Sequence, residues 1–446
     1  MKVTPSILKG SLFLLVVLVL VFFELGGKVA DGGSSLFAPL PINYPEVQQK
    51  YPFLELDKNE ILYPAETGRL THFYQRLDTL LFEGKGQVRI LHMGGSHVQG
   101  GAIGFRMREL FDHLSFDLCR QRGLIFPFRI ASTNSSIYTR SEATGNWDGL
   151  RCAHNKHQSD WGLSGMTIST TSDSATLKVW ATDRDSSLYK GTRVRLYVKK
   201  DSVQFNPIWD GALSPNSIID NPQSSFIEYQ FTENVDTLAW TFISSDSTQV
   251  QAEVYGVHLA SDEPGLIYEE VGVNGASTKS YLRCNRMEEE LNTLPPDLVI
   301  FGIGINDAYM TQGRFQPKEF KARYDSLIQM VRRVNPKADI LMLTNNDSYY
   351  RKRYANPNAD KVQLVMYELA EEHSLAVWDL YEIMGGFNSI RNWERSGLAK
   401  RDKIHFTRQG YYLQAELMYS ALMEDYGNYL NVGSTDPQNT TTKGRP

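Results

Sequence analysis

A chain of 446 residues exceeds what one compact core usually organises, so two folded units and a targeting segment are the natural expectation. With 41% hydrophobic and 22% charged residues, composition excludes a disordered chain and a polytopic membrane protein. A formal charge of -5 shows no basic excess, so no nucleic-acid partner is expected.

Lys2 and Lys9 precede an unbroken apolar run, Leu12 to Phe23, which ends at Glu24. This pattern over residues 1–30 reads as an export signal, and places the protein in the periplasm or on the cell surface. The run is short for a spanning helix, and the small residues around Ala30 form only a weak cleavage site, so a cleaved signal and a retained inner-membrane anchor both fit. Residues 31–85 form an N-terminal extension with a Pro-rich stretch (Pro39, Pro41, Pro45) and a helix around Leu70 to Phe82. Val88 to Met93 then reads as a short buried strand that ends in Gly94-Gly95-Ser96. A helical pattern follows, with Ile103, Met107, Leu110, Phe111 and Leu114 on one face.

Between about 130 and 262 the period changes from helical to alternating. Val194/Leu196/Val198, Ile227/Tyr229/Phe231, Leu238/Trp240/Phe242 and Val250/Ala252/Val254 alternate with polar residues, and Gly, Pro, Asn, Asp and Ser clusters separate them. This predicts an inserted antiparallel β-sandwich over 131–262, of a kind that often binds carbohydrate. Beyond it, strand-like runs recur at Leu266 to Val273, Leu298 to Gly302, Ile340 to Thr344 and Ala376 to Leu380. Helices separate most of them. One carries Phe320, Tyr324, Leu327, Ile328 and Val331, another spans Asp360 to Ser374, and the last follows Phe406 with Thr407 as its N-cap. Nearly continuous apolar strands alternating with helices predict a three-layer α/β/α domain on a five-stranded parallel sheet, split as 86–130 and 263–430 by the sandwich. Residues 431–446 form a polar tail expected to be disordered. Three scattered cysteines, Cys119, Cys152 and Cys284, exclude a disulfide scaffold and permit at most one bridge.

Ligands of open α/β sheets sit beyond the carboxyl ends of the strands, and four segments there carry chemistry. Ser96, on a glycine turn opening a helix, has an exposed Oγ and a backbone N–H available to developing negative charge. Asp402, three residues before His405 and just outside a helix, can reach the imidazole Nδ1–H and leave Nε2 free for the serine proton. The loops Asn274-Gly275-Ala276 and Gly304-Ile305-Asn306-Asp307 can supply a glycine N–H and an amide to an oxyanion. Asp307 is expected to serve the helix N-terminus that follows it.

Together Gly-Gly-Ser-His, Gly-Val-Asn-Gly-Ala, Gly-Ile-Asn-Asp and Asp-Lys-Ile-His resemble the four blocks of the SGNH (GDSL-type) hydrolases, in the right order. The resemblance implies a flavodoxin-like domain, Ser96 as nucleophile, Asp402 and His405 as its catalytic partners, and Ser96, Gly275 and Asn306 as oxyanion donors. The arrangement is most similar to bacterial peptidoglycan or polysaccharide O-acetylesterases that carry an inserted carbohydrate-binding-like β-domain. A serine esterase acting on O-acetyl esters of a cell-wall or other polysaccharide is therefore expected. O-acyl transfer, lipase or lysophospholipase action, and an impaired glycan-binding surface protein are the alternatives.

Gly165, in Trp-Gly-Leu-Ser-Gly-Met-Thr, also resembles the glycine block. Gly275 lies 31 residues before Asn306, room for one helix and one strand, whereas Gly165 lies 141 before it, so Gly275 is preferred. One departure stands out, because the family usually has Asp where this chain has Gly95.

Three further residues are candidates for substrate contact: His97 beside the serine, with packing of the turn as its alternative role, and Tyr349 and Arg351 in the loop 345–358. That loop's alternative is a solvated segment with core-facing tyrosines. His154 and His157 have a metal-like spacing but continue into no zinc signature, and no glycine-rich nucleotide fingerprint is complete, so no metal and no cofactor are expected. Nothing in the sequence sets an oligomeric state.

Overall fold

The computed structural model describes residues 42–434, apart from 116, 117, 120, 184 and 185 and the side chains of 432–434. The expected export signal and most of the polar tail lie outside these residues. Among the described residues no helix is long and apolar enough to cross a membrane.

The α/β domain is built on six strands: β1 (Ile61–Leu62), β2 (Gln87–Gly94), β3 (Gly265–Gly272), β4 (Leu298–Gly302), β5 (Asp339–Leu343) and β6 (Ala376–Trp378). Their spatial order is β3-β2-β4-β5-β6-β1, with every pair parallel except β1 against β6. The five parallel strands thus follow the 2-1-3-4-5 order of flavodoxin-like sheets. The sixth strand was not expected, since two residues are too few to show a period.

Both faces of the sheet are covered. Val88, Ile90, Leu266, Leu298 and Ile300 pack with α1 (Thr71–Glu83), α2 (Ala102–Phe111) and α5 (Arg408–Ser434). Leu91, Met93, Val299, Phe301 and Met342 pack on the other side with α3 (Pro317–Val334) and α4 (Ala359–His373). Burial on both faces is why these strands read as apolar runs without alternation. The segment 42–85, expected as an extension, is part of this domain: Phe73, Tyr74 and Leu77 are buried against α5, and Tyr74 and Tyr426 rings lie 5.2 Å apart.

Two antiparallel sheets form the insert. The larger runs Ser217–Asp220, Phe226–Val235, Gly191–Val198, Ala252–Ala260, Met166–Thr170, Asp148–Arg151, and the smaller Thr139–Thr144, Ser174–Ala181, Leu238–Ile243, Asn206–Trp209. Leu177, Val179 and Trp240 from one sheet meet Val194, Leu196 and Tyr229 from the other in a common core. Gly123–Ile125 pairs with Ala252–Ala260, so the insert begins earlier than residue 131, at a three-residue strand that the sequence pattern did not separate from the first half of the α/β domain. At the junction the buried Glu269 on β3 accepts from Arg89 Nη2 at 2.7 Å and from Leu124 N at 3.0 Å. Burial alone would raise its pKa, but Arg89 and His258 outweigh burial and hold the carboxyl at about 2.

Candidate active site

Packing requires glycine at the ends of β2 and β3. A Cβ on Gly94 would stand 2.3 Å from Val98 Cγ2, and one on Gly272 of the neighbouring strand 2.2 Å from Gln99 N. With both absent, the chain turns directly from β2 into the short helix Ser96–Gln99. Gln99 ties that helix to its surroundings: its Oε1 accepts from Asn274 N at 2.6 Å, and its Nε2 donates to Asn134 O at 2.6 Å. Tyr281 donates its hydroxyl to Gly94 O at 2.6 Å from beneath.

Ser96 Oγ lies 2.7 Å from His405 Nε2, and His405 Nδ1 lies 2.9 Å from Asp402 Oδ2. Asp402 shapes this loop as well, since its Oδ1 accepts from Ile404 N at 2.9 Å and His405 N at 3.0 Å. Burial would raise the Asp402 pKa, but these N–H donors and the imidazole outweigh it and hold the carboxyl below its ordinary value. Asn346 Nδ2 fixes Ile404 O at 3.1 Å, and Thr407 caps α5 through Oγ1, which accepts from Gly410 N at 3.3 Å. The serine, imidazole and carboxylate form one hydrogen-bonded chain suited to moving a proton off Ser96.

The two other loops converge on the same strand ends, because Gly94 is in register with Gly272 and with Gly302. Asn306 Nδ2 donates to Ala276 O at 2.8 Å and stands 3.1 Å from where a Cβ on Gly95 would be. Gly275 adopts φ +82, a conformation that favours glycine. Asp307 does not precede the helix it was expected to serve but sits inside the short helix Ile305–Ala308. Its carboxylate accepts from Thr278 N at 3.0 Å and Thr278 Oγ1 at 2.7 Å, the first residue of a helix that follows the Gly275 loop. It thereby locks the Gly275 and Asn306 loops together, a role that its position in the sequence did not reveal. Gly165, also at positive φ, packs behind this region, and a Cβ there would meet Val273 Cγ2 at 2.9 Å.

Ser96, Asp402 and His405 open into a cleft of about 570 Å³, walled by Asn134, Tyr138, Asn274, Lys400, Arg408 and Tyr411 among others. Arg408 also lines an adjoining cleft of about 500 Å³ that extends to Lys50 and Tyr51. The candidate substrate contacts lie elsewhere. His97 is half-buried, stacked 5.1 Å from the His405 ring with Nδ1 3.1 Å from Tyr411 Oη, and the packing around its ring lowers its pKa to about 3, so it packs the turn as a neutral ring. Tyr349 is buried and donates to Asn388 Oδ1 at 2.6 Å. Arg351 lies over the Tyr350 ring at 5.2 Å in a hairpin beside Tyr309. Neither lines the cleft; Tyr349 and Tyr350 face the core, while Arg351, Arg353 and Tyr354 face solvent. His154 and His157 have rings 4.1 Å apart, and His157 Nδ1 accepts from Arg151 N at 3.1 Å. Among the described residues no three metal-ligating side chains gather.

A model of the GDSL-like lipase/acylhydrolase family matches residues 242–413, a range that includes Gly275, Asn306, Asp402 and His405 and leaves out Ser96 beyond the insert. Among solved structures, a peptidoglycan O-acetylesterase superposes with a TM-score of 0.69 at 19% identity, covering 82% of this chain and 99% of that one. The α/β domain has the SGNH hydrolase fold. Residues 242–413 thus match a GDSL-like lipase/acylhydrolase domain, a type of carboxylic ester hydrolase, and the fold carries an inserted β-domain. An acetyl xylan esterase (22% identity, TM-score 0.29, 35% of this chain and 80% of that one) and a lipase/acylhydrolase from Enterococcus faecalis (22%, 0.28, 36% and 77%) are also similar over shorter stretches. No curated protein matches the chain.

The cleft residues Asn134, Tyr138, Lys400, Arg408 and Tyr411, and Gln99 that braces the cleft from behind, escaped the sequence reading. Only Gln99 left a signal, standing one helical turn from Ser96.

Proposed function

We propose that this SGNH hydrolase is an exported serine esterase that removes O-acetyl groups from a polysaccharide. The observation that carries the reading is the unbroken chain from Ser96 Oγ through His405 to Asp402, at 2.7 and 2.9 Å, opening into a cleft. Ser96 Oγ attacks the acetyl carbonyl while His405 Nε2 takes its proton, and the charge that develops on the carbonyl oxygen is met by the Ser96 and Gly275 N–H groups and the Asn306 amide. Collapse expels the sugar oxygen, which receives the proton from His405. Water, deprotonated by the same imidazole, then attacks the acyl-serine and releases acetate. Asp402 remains ionised throughout, keeping Nδ1 protonated.

A sugar polymer suits the walls of the cleft. Asn134, Asn274, Lys400 and Arg408 offer hydrogen bonds, Tyr138 and Tyr411 offer rings, and the neighbouring cleft past Arg408 extends the surface beyond one residue of a chain. The peptidoglycan O-acetylesterase shares the fold across most of this chain, which supports the polymeric class. Export rests on Lys2, Lys9 and the run Leu12 to Phe23. Turnover of p-nitrophenyl acetate that vanishes in Ser96→Ala is the first expected result, and acetate release from O-acetylated peptidoglycan and xylan the second. Undiminished turnover by Ser96→Ala would remove the assignment of the nucleophile.

A further inference from the structure

The seam between the insert and the α/β domain carries two cysteines for which the esterase reaction has no use. The loop 151–157 leaves the insert strand Asp148–Arg151 and reaches the oxyanion loop, where Ala153 Cβ is 3.9 Å from the Cβ position of Gly275. The α/β domain grips this loop through Arg283. Its Nη1 donates to Cys152 O at 2.6 Å and His154 O at 3.1 Å, and its Nη2 to His157 O at 2.6 Å. Cys284, the next residue, lies in the same buried cluster as Cys152, its thiol donating to Ser280 O at 3.8 Å and close enough to that of Cys152 for the two to interact. Both are buried, and both sit beside Tyr281, whose hydroxyl holds the Gly94 carbonyl just before Ser96. Cys119 lies in the other core cluster, near Asp112 and Arg108, apart from this pair.

We propose that Cys152 and Cys284 form a disulfide that staples the insert loop to the α/β domain beside the oxyanion loop. The bond closes by two thiol–disulfide exchanges. One cysteine thiolate attacks a disulfide oxidant, a small-molecule disulfide or a protein of the thiol-oxidase class, and the second displaces the mixed disulfide. Two protons and two electrons leave the protein, one S–S bond forms, and the oxidant departs as two thiols. Burial pushes the Cys284 thiol well above its ordinary range, so exchange occurs while the loop is undocked, during folding. Once Arg283 has captured the three carbonyls, the bond is shielded from reductants.

The full chain, reduced and unfolded, is refolded with oxidised and reduced glutathione or with dithiothreitol, then denatured and trapped with N-ethylmaleimide. Mass spectrometry of the glutathione sample is expected to show one adduct, on Cys119, and a peptide linking Cys152 to Cys284; the dithiothreitol sample carries three adducts. The oxidised form is expected to melt on the order of 5 °C higher than the reduced form, a difference absent in Cys152→Ala. Three adducts after oxidative refolding, a link through Cys119, or equal melting of the two forms would each overturn the proposal, and the peptide map of the wild-type chain does not depend on the variant's folding.

Discussion

Replacing Asp402 by Asn tests the catalytic chain with the least disturbance to the fold. The two backbone bonds that Asp402 Oδ1 accepts, from Ile404 N and His405 N, survive in an amide, so the loop keeps its shape. Only the group facing His405 Nδ1 at 2.9 Å changes, from an acceptor to an NH2 donor. Nδ1 must then accept, the proton moves to Nε2, and the nitrogen 2.7 Å from Ser96 Oγ no longer takes the serine proton. A wrong tautomer and an unstabilised imidazolium cost about 10³- to 10⁴-fold in kcat, equivalent to about 4 to 5.5 kcal/mol. Steady-state turnover of p-nitrophenyl acetate, with thermal unfolding measured on the same samples, is the assay. Because the wild-type carboxyl is held below its ordinary value, Asp402 is ionised throughout the neutral pH range of the assay. Its contribution to stability is present above the unfolded carboxylate range and is lost as pH falls through the lowered native value. An Asp402→Asn protein that melts like the wild type and retains more than a tenth of its kcat would refute the assigned role.

Gly95→Ala places a Cβ 3.1 Å from Asn306 Nδ2, at a backbone conformation that an L-residue accepts; pushing the amide aside is expected to lower kcat about tenfold with KM unchanged, and an unaltered kcat would argue that Asn306 is not an oxyanion donor. His97→Phe keeps the ring on His405 and loses the Tyr411 contact, so kcat should fall by less than about tenfold. Because the His97 pKa lies near 3, the pH–rate profile between pH 5 and 8 should not move, and a shifted limb would show that His97 titrates in the catalytic range. Glu290 is buried with its Oε2 accepting from Leu163 N at 2.7 Å, and burial raises its pKa to about 8. The native state therefore holds a proton that the unfolded chain has lost between about pH 4.5 and 8, so stability falls as pH rises through that window by about 1.4 kcal/mol per unit. Glu290→Gln should melt with a flatter pH dependence over this range, measured by calorimetry at pH 5 and 8.5; parallel curves would show that Glu290 ionises freely.

Much of this organisation was legible because it rests on repeated local signals. The apolar runs of β2 to β6 reported burial on two faces, and the alternation at Val194/Leu196/Val198 reported burial on one, which separated the two domains without any contact information. The site was legible at Ser96, Asp402 and His405 because glycine turns and a three-residue spacing are local requirements of the chemistry. What escaped was set by tertiary contact alone. Asp307 reads as serving the N-terminus of a helix that follows it until the fold brings Thr278 to its carboxylate. Tyr349 and Arg351 read as a binding loop because they follow a strand at the catalytic edge, yet the hairpin turns the tyrosine inward, and only a three-dimensional path shows it. Gln99 and Arg408 line or brace the cleft without any spacing that announces them.

The position of the insert explains how the β-domain contributes to the site. It interrupts the chain between β2 and β3, which are neighbours in the sheet, and β3 is the edge strand. An exposed edge invites pairing with another chain. Here Leu266 N on β3 donates to Leu118 O, and Glu269 on the same strand accepts from Leu124 N, so the connection into the insert occupies that flank. Because the insert lies along the edge nearest Ser96, its loops reach the catalytic end from two sides. Asn134 and Tyr138 wall the cleft on one side of Ser96, and Ala153 closes on Gly275 on the other. An insert at any connection beyond β5 would sit two or more strands from β2. The interruption that hides Ser96 from its partners in the sequence is thus the same one that gives the cleft its outer walls, and changes in the 133–138 and 151–157 loops alter what reaches Ser96 without touching the hydrogen-bonded chain behind it.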